Sequence, residues 1–546
     1  MDSEMATGGT LTSSRLWRAI AVMLLGFFAS GMLGIARTAV IAAKFGTGSA
    51  ADALNAAQQL PELIFVLVAG GALGSAFVPV FARLRETDEA AAWRLTRSVL
   101  TLTSGAALVL SVATMALAPY VVPLLERGAS PEQQRLTTEL TQWMMLTPCI
   151  FSISGLLMSV LQSHGRFALP ALAIGMNNLG IIFGALVLAD WLPPDRGIGQ
   201  VGAANVYGLA LGAILSAWLH LLVQLPGLRG LGGRFTFTRR FHVEGAIDVL
   251  KLMIPRVLGL AVVRVNFLVN VVLTSQMIAG SRTALINAFV FVFFVIGLIG
   301  QSVGTAVFPT LAATHQAADF KAFQARLVQS LRGALLLAIP SMVGMILLSD
   351  LVLSVLLQRG VWSASSTQAT AWALRFYALG LPAFVMIEVL SRAFYALEDT
   401  RTPVIFGALA MLGNIGLSLI LIQYIGNPGQ LERGPFAGLA LANALATSVE
   451  SLILIAWLQR RIGGNWVREL LVAGLKMCLA TAGMGLMVVW VLDIRGQFYD
   501  GWVLLLALIL GMLTYAVLGS LLRLAEISQA FRAMSRHFAR VLQFRN

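Results

Sequence analysis

Two arginines inside one long apolar stretch are the side chains in this sequence with the clearest potential for chemistry. Residues 249–277 are mostly apolar over a length that can cross a bilayer, yet they contain Arg256 and Arg264. A charge at the centre of a bilayer costs several kcal/mol, so a helix that keeps two should turn them toward water. At 100° per residue they are about 80° apart, and both can face one cavity. Arg256 can instead snorkel to the headgroups, whereas Arg264 lies a further ~12 Å along the axis.

Other polar residues at membrane depth extend this candidate cavity. Arg37 lies far into the first apolar stretch, where it can line a cavity or snorkel to the far headgroups. A cavity with several arginines and few acids should attract an anionic substrate that carries phosphate or carboxylate groups. A site for cationic drugs should show the opposite balance. The predicted substrate-binding residues are Arg37, Asp52, Arg256, Arg264, Asn266, Asn270 and Arg282.

Glu388 is an acid in the middle of another apolar stretch, VMIEVLSR. Its side chain can pair with an arginine across the cavity, hold a coupling ion or carry a proton, and a neutral structural acid is the alternative. We therefore predict Glu388 and Asp399 as the candidates for coupling to a Na⁺ or H⁺ gradient, with the membrane potential as the other energy source.

The sequence contains no signal for enzymatic or metal chemistry. No zinc-protease, P-loop, nucleophile-elbow or CxxC motif is present, and the five histidines show no paired ligand spacing. Cys149 and Cys478 both lie in apolar segments, which excludes a disulfide framework. We predict a protein that is not an enzyme, with no catalytic residues, no metal site and no cofactor.

The composition is that of an all-α polytopic membrane protein. Hydrophobic residues make up 58% of the 546 and charged residues 12%, about half the share in soluble domains, and the mean hydropathy is +0.83. The net charge of +13 does not indicate nucleic acid, because the basic residues lie in short loops between apolar stretches, where they set topology. No cleavable signal peptide and no soluble domain are predicted.

Fourteen apolar stretches predict fourteen membrane-spanning helices. With both termini cytoplasmic, Lys and Arg are roughly threefold more numerous in the cytoplasmic segments than in the opposite ones, as the positive-inside rule requires. One missed helix would disrupt this alternation in every later loop. The predicted spans are 17–43, 58–82, 98–125, 140–163, 168–192, 202–226, 249–277, 283–312, 330–357, 367–396, 402–425, 435–459, 468–493 and 500–523.

Spans 1–6 and 7–12 read as two copies of one unit, because three prolines recur at an offset of about 230 residues. Because each unit contains an even number of spans, the chain returns to its starting side after the first unit, and the second unit crosses the membrane in the same orientation as the first. We predict two six-helix lobes related by a pseudo-two-fold axis along the membrane normal, rocking around a central cavity, plus two extra C-terminal helices. The matched pairs are Pro79 with Pro309, Pro148 with Pro382, and Pro170 with Pro403.

The predicted organisation divides the chain into six parts. They are a cytoplasmic tail (1–14), an N-lobe (15–228), a cytoplasmic linker (229–244), a C-lobe (245–461), spans 13 and 14 (462–525) and a basic amphipathic cytoplasmic tail (526–546). Arg532, Arg536 and Arg540 form one cationic stripe in that tail, suited to an anionic membrane surface or to a solvated helix end.

Several of these stretches resemble the lipid II flippase family MurJ, also called MviN, within the MOP superfamily of multidrug exporters and polysaccharide flippases. The most specific stretch begins at Leu356 and reads LLQRGVWSASSTQATAWALRFYALGLPAFVMIEVLSRAFYALEDTRTPV. The others are LGIARTAVIAAKFGTGSAADALNAAQQLPEL, GSAFVPVFARL, GRFALPALAIGMNNLG, LLVQLPGLRGLG and GTAVFPTLAA. Together they cover spans 1–12.

The resemblance implies two lobes around a cationic cavity, with the last two helices forming a hydrophobic groove for a polyprenyl tail. It implies that the protein moves lipid-linked peptidoglycan precursor from the inner to the outer leaflet of the bacterial cytoplasmic membrane, for cell-wall synthesis and cell shape. Alternating access would be driven by membrane potential or an ion gradient. The implied partners are the lipid-linked anionic glycan, membrane lipids and cell-wall synthesis enzymes.

Individual residues both match the family and depart from it. Arg37 matches the first-helix arginine of an LGxxR motif, and Asp52 matches an acid at the start of span 2. The family has basic residues where this sequence has Gly31, Phe65–Val66 and Val290. Arg256, Arg264 and Arg282 are the candidates to compensate for these losses.

Two other functions compete with a lipid flippase. One is a multidrug or small-anion exporter on the same scaffold, and the other is a non-transporting scaffold of a wall-synthesis complex. A lateral opening and an apolar groove along spans 13 and 14 favour a lipid substrate. A small, closed, acid-lined cavity favours drug export.

Overall fold

The protein is a bundle of helices with one small hairpin. The computed structural model describes residues 28, 31–68, 71–194, 197–233, 235–239, 243–524 and 526–527. The hairpin pairs β1 (Gln200–Val201) with β2 (Ala204–Asn205) in antiparallel register. Most of the predicted functional side chains in the described residues are on helices or at their ends.

The helices of the first half begin with α1 at residues 31–45. They continue as α2 (Ser49–Ala57), α3 (Gln59–Val68), α4 (Gly71–Thr87), α5 (Glu89–Leu125), α6 (Pro131–Met144), α7 (Leu146–Ser163), α8 (Ala168–Phe183), α9 (Ala189–Trp191) and α10 (Tyr207–Leu222). A π-helical turn (Gly184–Leu188) joins α8 to α9, and a short 3₁₀ turn (Leu225–Leu228) follows α10.

The helices of the second half begin with α11 (Ala246–Thr274) and α12 (Ser281–Val295), and a π-helical segment (Ile296–Gln301) follows α12. The remaining helices are α13 (Ser302–Gln316), α14 (Phe320–Leu357), α15 (Ala364–Leu379), α16 (Leu381–Ala396), α17 (Arg401–Tyr424), α18 (Ala437–Ile462), α19 (Trp466–Leu492) and α20 (Asp500–Leu521).

Ten helical segments in the described part of the chain are long and apolar enough to cross a membrane, and eleven if the bent pair α15–α16 is one span. They coincide with predicted spans 3–6, 8, 9 and 11–14, and the bent pair coincides with span 10. Spans 1, 2 and 7 include residues or side chains outside the described ranges. The multi-pass helical fold is therefore confirmed, and the count of fourteen stays a prediction.

The longest helices of the two halves begin in the same way. The carboxylates of Asp88 before α5 and Asp319 before α14 each accept a hydrogen bond from the backbone N–H three residues on. The next helices are capped by the hydroxyls of Ser130 before α6 and Ser363 before α15. Each cap satisfies an N–H group that a helix start leaves without an intrahelical partner. Matched caps are about 230 residues apart, like the matched prolines.

Two spans are broken at equivalent places. Met145 separates α6 from α7, and Gly380 separates α15 from α16, where the two helices meet at 49°. Pro148 and Pro382 lie in the first turns of α7 and α16. Proline lacks an N–H group, and the first turn of a helix is where that loss costs no intrahelical hydrogen bond, so both prolines suit the start of a new helix.

The helices pack as two groups that α11 connects. In the first group, α3–α8 and α10 enclose apolar clusters built around side chains such as Phe77, Phe81 and Leu140. In the second, α12–α16 and α18 enclose a larger cluster that contains Phe323 and Phe394. Helix α11 packs against α3, α4 and α5 on one side and against α17 on the other.

The last two helices attach to the second group through α14. Helices α19 and α20 pack on each other and on α14, and the Tyr515 hydroxyl donates to the Leu336 carbonyl at 2.9 Å. The C-terminal tail after Ile527, with its arginine stripe, and the N-terminal tail lie outside the described residues. The described residues of the linker 229–244 form no helix. The domain boundaries themselves stay predictions.

Candidate functional site

A cavity of about 820 Å³ lies between α1, α3, α4, α7, α8, α10 and α11. We predicted a cavity between the two halves, but this one is inside the first group and is closed by the first helix of the second half. The reason is that α11 packs on α3 and α4, so its side chains face the first group. The polar lining residues include Arg37, Gln58, Glu62, Gln162, Asn177, Ser216, His220 and Arg264.

Two arginines and one acid carry the charge of this cavity. Arg264 forms an ion pair with Glu62, and its guanidinium also lies 5.6 Å from the ring centroid of Phe267. Arg37 on α1 lines the same cavity, and the charge of Glu62 acts on it too. Arg37 has no hydrogen-bond acceptor among the described residues. Since one carboxylate faces two guanidinium groups, the cavity keeps a net positive charge.

The opposite wall is polar and uncharged. Ser216 on α10 donates to the Asn177 amide oxygen on α8 at 3.0 Å. Gly180 makes this contact feasible, because an added Cβ there would lie 2.4 Å from the Cα of Ser216. The two helices therefore pack at backbone contact distance, the packing that small residues allow in membrane proteins.

A second set of predicted residues lies in a polar seam between the halves. We call this set the seam: Ala43, Thr47, Asp52, Asn55, Glu126 and Gly128 on one side, and Ser275, Gly280, Arg282, Thr283, Val361 and Ser366 on the other. Among described residues, every hydrogen bond and ion pair between 31–233 and 275–524 is in it. The seam includes the segments that follow α1, α5, α11 and α14.

Asp52 caps a helix of the other half. Its carboxylate accepts from the N–H of Gly280 at 2.7 Å, the N–H of Thr283 at 2.8 Å and the Thr283 hydroxyl at 2.6 Å. Gly280 is the N-cap position of α12, has a φ of +95° and carries no side chain that could cap the helix. Asp52 therefore supplies the carboxylate that an N-cap residue would normally supply, at the positive end of the helix dipole.

Arg282 is buried in the seam and is not on the cavity wall. It pairs with Glu126 at 2.5 Å, and the two side chains are 3% and 1% exposed. It also donates to the Asp52 carbonyl at 2.8 Å, the Val271 carbonyl at 3.0 Å and the Thr274 hydroxyl at 3.1 Å. We predicted Asp52 and Arg282 as cavity residues. Instead, both side chains are buried in the seam, where they hold the two halves together, and neither lines the cavity.

The remaining predicted residues of α11 have different environments. Asn266 is buried and accepts from the Asn414 amide of α17 at 3.0 Å, so it links helices. Asn270 is half-buried, and its carbonyl accepts from the Thr274 hydroxyl at 2.6 Å. The backbone of Arg256 is helical, and its side chain lies outside the described residues.

The two predicted coupling acids both have arginine partners. Glu388 pairs with Arg392 one turn on at 3.1 Å, against the π-helical segment that follows α12. Asp399 lies in the loop before α17, pairs with Arg461 at 2.6 Å, and accepts from the N–H and hydroxyl of Thr402. Partial burial opposes ionisation, but these donors hold the pKa of Asp399 below its ordinary value.

The structure explains one departure from the family pattern. An added Cβ at Gly31 would lie 2.4 Å from the Phe294 ring, so a larger side chain there requires this ring to move. Phe65 lines the cavity and packs on Phe151 at a centroid distance of 5.5 Å. Val290 is half-buried on α12.

An apolar hollow of about 290 Å³ lies at the start of α20, where the resemblance implied a groove. Its lining side chains are Ile494, Phe498, Trp502, Val503, Leu505, Leu506 and Ile509. No cluster of His, Cys, Asp and Glu suited to a metal ion occurs in the described residues.

Sequence reasoning did not select three of these functional groups. Glu62 directly follows Pro61 in α3, and nothing in that local pattern predicts that it pairs with Arg264. Glu126 ends a long apolar run, and nothing in the run predicts its partner. His220 is one polar residue in an apolar helix, and that isolation at membrane depth was the available signal.

Comparison with known proteins identifies close relatives of this architecture. The family model for the lipid II flippase MurJ matches residues 41–510. The probable lipid II flippase MurJ of Haemophilus influenzae is 28% identical over 479 residues, 84% of this chain and 89% of that protein. The lipid II flippase MurJ of Burkholderia cenocepacia is 29% identical, over 79% of this chain and 81% of that protein.

Solved structures share the fold. A lipid II flippase MurJ in an inward closed conformation superposes with a TM-score of 0.76 and 24% identity, covering 92% of this chain and 98% of that chain. An inward-facing multidrug resistance MATE family transporter of the MOP superfamily superposes with a TM-score of 0.62 and 14% identity, covering 81% and 98%.

Proposed function

The chain belongs to the lipid II flippase MurJ family, and we propose that it moves lipid II, or a closely related polyprenyl-pyrophosphate glycan, from the inner to the outer leaflet. The family consists of transporters, so the chain is not an enzyme. One observation carries the substrate assignment: Arg37 and Arg264 line a single cavity within an otherwise apolar helical bundle. Guanidinium groups bind phosphate with paired, charge-assisted hydrogen bonds.

Binding of the headgroup would replace the Glu62 carboxylate at Arg264 with the pyrophosphate of the substrate. Glu62 now neutralises Arg264, and a pyrophosphate entering the cavity would compete for the same guanidinium while Arg37 supplies a second one. The volume of about 820 Å³ lies in the usual range of ligand pockets, so a pyrophosphate with part of its sugar fits while the polyprenyl tail stays in lipid.

We further propose fourteen spans, arranged as two six-helix lobes with a pseudo-two-fold axis along the membrane normal, plus α19 and α20. The repeated caps of α5 and α14, and the repeated breaks at Met145 and Gly380, support two copies of one unit. The apolar hollow on α20 supports a role for the last two helices in holding the lipid tail.

We place the protein in the bacterial inner membrane with both termini cytoplasmic, which puts the seam on the outer side. The bias of Lys and Arg between loops supports this orientation. The seam then closes the outer side while the inner side admits substrate, and alternating access requires it to open. A membrane potential, or a Na⁺ or H⁺ gradient acting at Glu388 or Asp399, would supply the energy. Cell-wall synthesis enzymes on the outer face would take the product.

Complementation of a bacterium depleted of its own lipid II flippase tests this function. The wild-type chain should restore growth and the accessibility of lipid II to a membrane-impermeant probe at the outer leaflet. Arg37→Ala and Arg264→Ala should abolish both while the protein still inserts into the membrane. Arg359→Ala is the matched control, because Arg359 is exposed in the loop after α14 and should be dispensable.

Two outcomes would overturn the assignment. Correctly inserted wild-type protein that never restores growth would exclude lipid II as the substrate. Restored growth with Arg37→Ala and Arg264→Ala both fully active would show that the cavity arginines do not bind the transported headgroup.

A further inference from the structure

His220 on α10 uses one ring nitrogen inside the protein and leaves the other for the cavity. Its Nδ1 lies 2.6 Å from the Ser154 hydroxyl of α7. Its Nε2 has no hydrogen-bond partner among the described residues, and the side chain lines the same cavity as Arg37 and Arg264. Only 9% of the residue is exposed, so the ring is fixed by its surroundings.

Gln224, which lies two residues past the end of α10 and just before the 3₁₀ turn, determines the direction of the Ser154–His220 hydrogen bond. Its amide nitrogen lies 2.8 Å from the His220 carbonyl oxygen. A carbonyl can only accept, so the amide must point its NH₂ group toward it and cannot be flipped. The same amide nitrogen lies 2.8 Å from the Ser154 hydroxyl oxygen and donates to it. Gln224 is fully buried, which excludes water as a substitute partner at this nitrogen.

Ser154 must then donate its own proton to His220. Its oxygen already accepts from Gln224, and Nδ1 is the acceptor in reach. If Nδ1 instead donated to Ser154, the serine proton would be buried without an acceptor among the described residues, at a cost of about 1–3 kcal/mol. A histidine whose Nδ1 accepts a hydrogen bond carries its proton on Nε2.

We infer that His220 is held as the neutral Nε2–H tautomer and donates a hydrogen bond to an oxygen of the transported headgroup, with Ser154 and Gln224 as positioning residues. This inference rests on the proposed function for its ligand and on the hydrogen-bond chain for its tautomer. The ligand class is a phosphate, carbonyl or sugar oxygen, because the cavity arginines already attract an anion and an uncharged N–H donor suits its acceptor oxygens.

Phe151 supports this geometry. Its ring meets the His220 ring edge-on at a centroid distance of 5.3 Å and also lines the cavity. The imidazole is therefore held between an aromatic ring and a serine, so its Nε2–H direction is set before any ligand arrives. A preorganised donor loses little entropy on binding.

Two variants of similar shape to histidine distinguish the role of Nε2 of His220 from the role of Nδ1. In His220→Gln the amide nitrogen can occupy the position of Nε2, and in His220→Asn it can occupy only the position of Nδ1. Binding of purified, nanodisc-embedded protein to lipid II should weaken roughly tenfold in His220→Asn, the loss of one hydrogen bond to a charged group. His220→Gln should stay within about threefold of wild type. Thermal unfolding of both variants checks that they fold equally well.

The tautomer has its own test, which does not depend on the substrate. Protein labelled with ¹⁵N-histidine contains five histidines, and His220→Gln identifies the signals of His220 by difference. The inference expects a protonated Nε2 and an unprotonated Nδ1 at neutral pH. Because the Gln224 amide nitrogen also lies 3.3 Å from Nδ1 and can replace Ser154 as its donor, a mixture of tautomers is expected only when both donors are removed, in Ser154→Ala/Gln224→Leu.

The outcomes separate the two claims. If wild-type protein does not bind lipid II but the spectrum shows the Nε2–H tautomer, the proposed function fails and the tautomer stands. If Nδ1 carries the proton, or if His220→Asn and His220→Gln bind lipid II equally well, the inference is overturned while the function remains.

Discussion

Arg282 and Glu126 form an ion pair between the two halves of the chain, with 2.5 Å between Nη1 and Oε1 and almost no exposed surface on either side chain. The guanidinium reaches the pair from the first turn of α12, and the carboxylate lies just past the end of α5. A buried pair of this kind stabilises little as a whole, but loss of one partner leaves a charge without compensation.

Glu126→Ala should therefore part the seam. We expect a destabilisation of about 3–5 kcal/mol, because Arg282 would remain buried without a counter-charge. Spin labels on exposed residues beside the seam, at Arg127→Cys and Ala364→Cys in a background with Cys149→Ala and Cys478→Ala, would report a longer and broader distance distribution. The double variant Glu126→Leu/Arg282→Met should recover much of the stability. An unchanged distance in Glu126→Ala would show that the pair does not hold the seam.

Asp52 should tolerate asparagine better than alanine. Asn keeps one oxygen for the N–H groups of Gly280 and Thr283, whereas Ala leaves both without an acceptor, each at about 1–3 kcal/mol. Melting temperature and growth in the depleted strain should both decrease in the order wild type, Asp52→Asn, Asp52→Ala. Asp88→Ala, which removes an exposed cap within one helix, is the control and should support growth. Equal effects of the two Asp52 variants would contradict the capping role.

Gly180→Ala should damage the cavity wall. The added methyl would lie 2.4 Å from the Ser216 Cα, so α8 and α10 must separate, at about 1–3 kcal/mol. Its melting temperature should fall, and Asn177 and Ser216 should move apart. Gly413→Ala on α17 is the matched control, because its methyl would enter open space and should raise helix stability slightly. Equal melting temperatures for the two variants would disprove the close contact.

Asp399 predicts an acid-dependent contribution to stability. The pKa of Asp399 is below its ordinary value in the folded protein, so its contribution is complete above about pH 3.9 and is lost as pH falls through the lower folded pKa. The melting-temperature difference between wild type and Asp399→Asn should be constant near pH 6 and shrink below about pH 4. A difference that does not change in this range would rule out the lowered pKa.

The sequence predicts where the membrane-spanning helices lie better than it predicts which side chains pair with each other. Apolar length and loop charge locate the spans, because bilayer thickness and topology act on each segment separately. Depth alone also selects Arg37 and Arg264 as cavity residues. Partner choice depends on packing between distant segments: Arg264 pairs with Glu62 on α3, about 200 residues earlier, and no local pattern encodes that distance.

The same limit explains Asp52 and Arg282. Both are charged residues at span ends, and the sequence cannot show whether a terminus faces a cavity or another helix. Gly280 offered a hint, since a glycine before a helix that lacks a capping side chain invites a carboxylate from elsewhere. The location of the cavity within the first group follows from the tilt and packing of α11, which composition does not determine.

The seam also constrains how the protein is made. Asp52 is 228 residues ahead of Gly280, and Glu126 precedes Arg282 by more than a quarter of the chain, so the ribosome delivers both acids long before their partners. During that interval the first half carries two carboxylates that lack the partners supplied by the second half, and among the described residues only Glu126 has a donor of its own half, the Gln133 amide at 3.1 Å. Their position at a helix terminus and a loop keeps them in contact with water until the second half is inserted. Truncation after the first half would leave a nascent intermediate in which Asp52 and Glu126 lack Gly280, Thr283 and Arg282.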